Sequence, residues 1–239
     1  MKRRISICLS VLIVSCLFLF PSCMSFDMSD GTTYQRPTKA SKYAQFYQEN
    51  PVVMLIMPPI NDSLNVDAKD YFYSTLAVPV AEAGFYVLPP YLTLEVLQRE
   101  SAYDSELFID KDLSKFKEVF GADVAVFTKI HTWEKSMLDY SVSVKIEYIF
   151  KSTETNEVLY RKTATMVRDT SQSIETDDDI LSAVLSIVVS SVSTVLVDYV
   201  DLAQNCNEYA LSNLPRGKYH KRYGQDLNDS PTADEITLE

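Results

Sequence analysis

The chain has 239 residues, 46% of them hydrophobic and 23% charged, with a formal net charge of −11. That length supports one large domain with a substantial core plus two terminal segments, and the near-average composition points to a compact, ordered body. The acidic surface excludes generic binding to phosphate backbones, and only 5 glycines argue against glycine-rich phosphate loops.

The chain opens with Lys2-Arg3-Arg4, continues through the apolar run ICLSVLIVSCLFLF and closes on Phe20-Pro21-Ser22-Cys23. This is the layout of a signal peptide over residues 1–22. A small residue directly before a cysteine resembles the bacterial lipobox, in which the thiol is diacylated and the cysteine becomes the new N-terminus. Cys23 is the expected lipidation site. Ile13-Val14-Ser15-Cys16 fits the consensus better, but cleavage there would leave LFLFPSC exposed after the lipid. The competing reading, an uncleaved membrane anchor, calls for about 20 apolar residues. With Met24 rather than Asp behind the cysteine, the outer membrane is the expected destination. Cys8, Cys16 and Cys23 belong to this segment, so Cys206 is left without a disulfide partner and reads as a cysteine on a helix face.

Residues 23–50 are polar and read as a flexible tether. The domain follows, over residues 51–212. Val52 to Met57 reads as strand one and Phe85 to Leu88 as strand two, each stopped by a proline pair, Pro58-Pro59 and Pro89-Pro90. Between them lies an amphipathic helix closed by Gly84, with a kink or break expected at Pro79. Thr93 is expected to cap a helix through Glu100, and Asp110 or Asp112 to start another through Phe120, closed by Gly121. Asp123 to Ile130 reads as a buried central strand, and Ser141 to Lys151 with Glu157 to Val167 as an antiparallel hairpin. A long helix is expected from Thr176 or Asp177 to about Leu211; its uncharged run ILSAVLSIVVSSVSTVLV also admits a second membrane span, against which the stripe Ser182, Ser186, Ser190 favours close packing on the sheet. Residues 213–239 read as a tail whose final stretch is disordered. The fold class is α/β, a single mixed sheet flanked by helices.

No residues assemble a known catalytic or cofactor signature. His131 and His220 have no metal-binding neighbours at zinc spacing, and Walker A, G-x-G-x-x-G and G-x-S-x-G patterns are absent from the sequence. The triplet Asp177-Asp178-Asp179 reads as helix capping before it reads as a calcium site. No catalytic, cofactor or metal site is therefore assigned. A binding rim is expected at the carboxyl edge of the sheet, built from Pro58, Pro59, Asn61 and Asp62, with His131 and Trp133 at the end of the central strand. The basic cluster Arg216, Lys218, Tyr219, Lys221 and Arg222 is unusual in so acidic a chain and forms a candidate partner patch or a plain solvated one.

The lipobox, MPPINDS, FYSTLAVPVAEAGFYVLPP, EVFGADVAVFTKIHTW and LPRGKYHKRYG together resemble a bacterial lipoprotein family typified by a neisserial vaccine-candidate antigen. The resemblance runs from Pro51 to about Gly224. It implies a domain similar to the N-terminal domain of TolB, and action beside a CsgG-like lipoprotein as an accessory factor in envelope transport; it carries no catalytic residues. Three functions compete: a non-enzymatic lipid-anchored periplasmic interaction module, an envelope hydrolase or ligand-binding protein using Asn61, Asp62, Asp123 and His131, and a homo-oligomeric scaffold. The hydrolase requires those four residues to converge.

Overall fold

The computed structural model describes residues 36–136, 141–169 and 199–238, and those from Pro37 onward belong to one compact unit. The strands are β1 (Val53–Ile56), β2 (Ile60–Asn61), β3 (Tyr86–Val87), β4 (Val124–Ser136), β5 (Ser141–Ser152), β6 (Val158–Asp169) and β7 (Glu235–Leu238). They form one mixed sheet in the order β3-β1-β4-β5-β6-β7, with β2 also paired to β4. The β1 strand runs parallel to β3 and β4, whereas β4, β5 and β6 are antiparallel in sequence and β7 returns parallel to β6.

Helices α1 (Lys39–Lys42) and α2 (Ala44–Glu49) precede the sheet, α3 (Ala68–Tyr73) and α4 (Ala77–Glu82) connect β2 to β3, and α5 (Pro90–Arg99) and α6 (Ser114–Phe120) connect β3 to β4. Residues 199–212 are also helical and are called α7. Alternation along the strands sends side chains to both faces. On one face Met54, Ile56, Val124, Val126, Val144, Ile146 and Tyr148 pack with Phe46, Phe72, Val80, Leu202 and Cys206; on the other, Leu55, Met57, Ala125, Phe127 and Ile149 pack with Leu97, Leu113 and Phe116. Two-sided cover explains why the first half of β4 is apolar without a break.

The β4 strand runs six residues past its expected end, and a bulge between Ile130 and Thr132 falls in that extension. One extra residue, His131, shifts the side-chain phase. Ile130 and Trp133 thus both enter the larger core while His131 stays exposed. Trp133 is consequently a core side chain, stacked on Tyr199 at 5.4 Å between ring centroids, and it does not belong to a rim.

Several expectations are corrected. Pro58-Pro59 interrupts a strand without ending it: Ile60 and Asn61 rejoin the ladder against Lys129 and Ile130. Here β3, the neighbour on the far side, pairs only with Val53 and Met54, so no ladder there asks for the missing N–H groups. Pro90 starts α5 at its first position, where a proline needs no donor, and Thr93 lies inside that helix with its hydroxyl donating to the Pro90 carbonyl at 2.9 Å. The helix expected before Gly84 breaks into α3 and α4, leaving Pro79 in the first turn of α4.

Residues 39–42 and 44–49, expected to belong to a tether, are helical, and Tyr43 and Phe46 enter the core; a reciprocal cap between Thr38 and Ser41 starts α1. The supposedly disordered end supplies β7, because Ile236 and Leu238 are half-buried while Glu235 and Thr237 face out. The signal, Cys16, Cys23, the acidic triplet and the apolar run before Asp198 lie outside the described residues. No helix among the described residues is long and apolar enough to cross a membrane.

Candidate functional site

The carboxyl edge of β1 and β2 brings together part of the expected rim. Pro58 and Pro59 are buried, held by the Ser105 hydroxyl donating to the Pro58 carbonyl at 2.5 Å. They floor a cavity of about 260 Å³ with Lys69, Asp70, Tyr73, Leu94, Gln98 and Tyr103. Beside it, the Asn61 side chain accepts from the Ser63 amide at 3.1 Å and hydroxyl at 2.7 Å and donates to the Asn65 carbonyl at 2.8 Å. Asn65 in turn accepts from the Asp67 amide at 3.0 Å. These consecutive Asx turns fix the short loop and leave its apolar side chains outside: Leu64 is 100% and Val66 86% exposed.

Asp62 Oδ2 stands 3.5 Å from His131 Nδ1, and Glu147 Oε2 lies 3.2 Å from Nε2; Glu147 also binds Arg161 at 2.9 Å. The imidazole thus bridges a loop carboxylate and a strand carboxylate. Asp123 is elsewhere. It sits at the amino end of β4, about 26 Å from His131 at the usual rise of a strand, where its Oδ2 accepts from the Val52 and Val53 amides at 2.9 Å and its Oδ1 from Lys117. Burial raises the Asp123 pKa, but the Lys117 ammonium and those two amides outweigh it and hold the carboxyl below its usual range. The four residues required by a hydrolase therefore do not converge. Among the described residues no group of three or more His, Cys, Asp or Glu side chains is placed to hold a metal ion.

The basic cluster occupies the opposite end of the sheet. Residues 215–224 close over Gly84, with the Gly217 amide donating to the Ala83 carbonyl and the Tyr219 amide to the Gly84 carbonyl, both at 2.9 Å. Arg216 is partly committed to structure: its amide donates to Asp226 at 3.0 Å and its guanidinium to the Ser212 carbonyl at 3.0 Å. Arg222 pairs with Asp229 at 3.0 Å. Lys218, Tyr219 and Lys221 are exposed, and neither lysine makes an ion pair among the described residues. Burial, followed by the charges of Arg216, Lys221 and Arg222, holds the His220 imidazole below its usual pKa.

A buried ionic cluster that motif reading missed anchors this segment. Lys39 and Asp226 meet at 3.5 Å with side chains 3% and 0% exposed, and Asp226 also accepts from the Tyr47 hydroxyl at 3.0 Å. Burial lowers the Lys39 pKa against the pull of Asp226, while burial and then the Asp226 charge raise that of Tyr47. Leu64 and Val66 were also missed, although two apolar residues inside the turn sequence NDSLNVD are a local signal that could have exposed them.

A family model described as "Putative lipoprotein GNA1162-like" matches residues 41–219. The lipoprotein NMB1124/NMB1162 of Neisseria meningitidis serogroup B (strain ATCC BAA-335 / MC58) is 23% identical over 158 residues, covering 65% of this chain and 72% of that protein. Among solved structures, lipoprotein GNA1162 from Neisseria meningitidis matches 60% of this chain and 99% of its own at 21% identity, with a TM-score of 0.47. A PelC dodecamer subunit from Paraburkholderia phytofirmans matches 74% of this chain and 94% of its own at 11% identity, with a TM-score of 0.40.

Proposed function

This chain belongs to the GNA1162-like lipoprotein family, and on that premise we propose that it is a non-enzymatic, lipid-anchored interaction module of the bacterial envelope, serving transport or assembly. The anchor in this reading is Cys23, and the destination is the periplasmic face of the outer membrane. One observation carries it. The carboxyl edge of the parallel strands, where α/β folds commonly place a ligand, presents Leu64 and Val66 to solvent on a loop braced by side-chain hydrogen bonds. Rigidly displayed apolar side chains suit recognition of another protein. A second envelope lipoprotein of the CsgG kind is the first partner to look for.

The test is a crosslinked pull-down from intact envelopes, with the chain tagged at its C-terminus and a Cys23→Ala control. Recovery of a second envelope protein in stoichiometric amount, lost with Cys23→Ala, supports the reading. Fractionation of the wild type with the soluble periplasm, or capture of no envelope protein, overturns it.

A further inference from the structure

Among the described residues, two surfaces of opposite charge sit at opposite ends of the sheet. At the amino end, the loop 215–224 closes over Gly84 just before β3, and the Tyr223 hydroxyl donates to Asn50, just before β1, at 2.9 Å. Its solvent side carries Lys218 and Lys221 beside Tyr219, which is 65% exposed. Of the acids beside it, Asp226 is buried against Lys39 and Asp229 is paired with Arg222, while Glu82, exposed at the end of α4, lines a cavity with Arg216. A net positive, aromatic surface is left.

At the carboxyl end, the loop after β2 and the turn around Ser105 carry Asp67, Asp70, Asp104 and Glu106, none of which makes an ion pair among the described residues. Ser105 bonds to Pro58, which fixes that turn beside the rim. The same end exposes Leu64, Val66 and Tyr103, the last 49% exposed. Lys69, half-buried, is the cation lining the cavity there. This surface is negative and apolar.

We propose that the basic, aromatic loop 215–224 of one copy docks on the acidic, apolar carboxyl-edge surface of a second copy, so that the chain associates with itself head to tail. The positions decide the symmetry. Complementary patches at opposite ends of one subunit, docked end to end, make a heterologous contact, which closes into a ring or continues as a filament. Charge complementarity supplies orientation and encounter rate, and the apolar and tyrosine side chains supply the dry centre. The carboxyl-edge loop is the one the proposed function offers to a partner, here taken by a second copy; sedimentation of the purified chain reads this contact alone, so its failure would leave the pull-down result standing, and the reverse holds as well.

The experiment uses the full chain in detergent micelles, followed by sedimentation at low and high salt. Wild type is expected to self-associate, more weakly as salt rises. Lys218→Glu with Lys221→Glu removes one surface and Asp67→Lys with Glu106→Lys the other; all four side chains are exposed, so folding is expected to persist by circular dichroism. Each double variant alone is expected to associate about tenfold or more weakly, as reversed charges at an interface do. Mixed together, the two are expected to associate again, because one contact is native and in the other both charges are reversed and so remain complementary. A wild type that stays monomeric, variants that associate as wild type does, or a mixture that forms no complex would each overturn the proposal.

Discussion

Gly84 and Gly217 meet backbone to backbone: a Cβ on Gly84 would fall 2.5 Å from His220 Cβ, and one on Gly217 would collide with the Gly84 carbonyl. Gly84 also holds a φ of 97° as it leaves α4. The contact seats the basic loop on the turn between α4 and β3. Gly217→Ala is expected to destabilise the protein by about 1–3 kcal/mol, the range for forced overpacking, and Gly84→Ala by more, because strain at positive φ adds to the clash. Chemical denaturation of the two variants measures this; an unchanged midpoint for Gly217→Ala would show that the loop does not pack as described.

Asp226→Ala strands the Lys39 ammonium in the interior, and removing one member of a buried pair costs about 3–5 kcal/mol. Lys39→Met in the same chain removes the stranded charge and is expected to restore part of the loss, while Tyr47 and the Arg216 amide still lack their acceptor. A double-mutant cycle on unfolding free energy reads the coupling; strict additivity would rule it out.

Lys162 is wholly buried, bonded to Thr232, and burial followed by the nearby charge of Lys42 lowers its pKa to about 8 from 10.5. Between those values the unfolded chain binds more protons than the folded one, so this group makes stability rise with pH through that window. Burial acts oppositely on Tyr43 and Tyr73, each raised to about 12 from 10.0, so above their unfolded value the folded state keeps protons that the unfolded state loses and stability falls. Unfolding free energy followed from neutral to alkaline pH is expected to climb and then drop. In Lys162→Met the climb is expected to flatten and the drop to remain.

Cys206 is fully buried in α7, and burial pushes its thiol up to about 12. Little thiolate exists at neutral pH. Alkylation of Cys206 is expected to be negligible in the native protein and rapid in denaturant, as mass spectrometry of the modified peptide would report. Fast native labelling would place the thiol at a surface.

Trp133 is the chain's single tryptophan and reports on the bulge. Deleting His131 removes the extra residue and leaves Thr132 and Trp133 opposite Lys145 and Val144 in a regular ladder, so Trp133 keeps its core face. Its emission is expected to stay unshifted in that deletion and in His131→Ala, whereas one alanine inserted between Thr132 and Trp133 turns the ring to the other face and is expected to shift the emission to the red.

The sequence by itself determined what local chemistry determines. Alternation in Ser141–Lys151 and Glu157–Val167 marked the antiparallel hairpin, Gly84 and Gly121 marked helix ends, and the apolar start of β4 marked a strand covered on both faces. The quoted segments also carried the family. What only the tertiary structure decided depends on partners distant in sequence. Lys39 and Asp226 are unremarkable until 187 positions of chain bring them together. The polar Thr38–Asn50 stretch folds as helix because Tyr43 and Phe46 find a core, and β7 forms because β6 leaves an edge to pair with. A bulge shows no signature in its own residues, so the pattern around Ile130 and Trp133 could not reveal that His131 and Trp133 face opposite ways. Burial is a property of the whole packed chain, and the site's geometry follows from it.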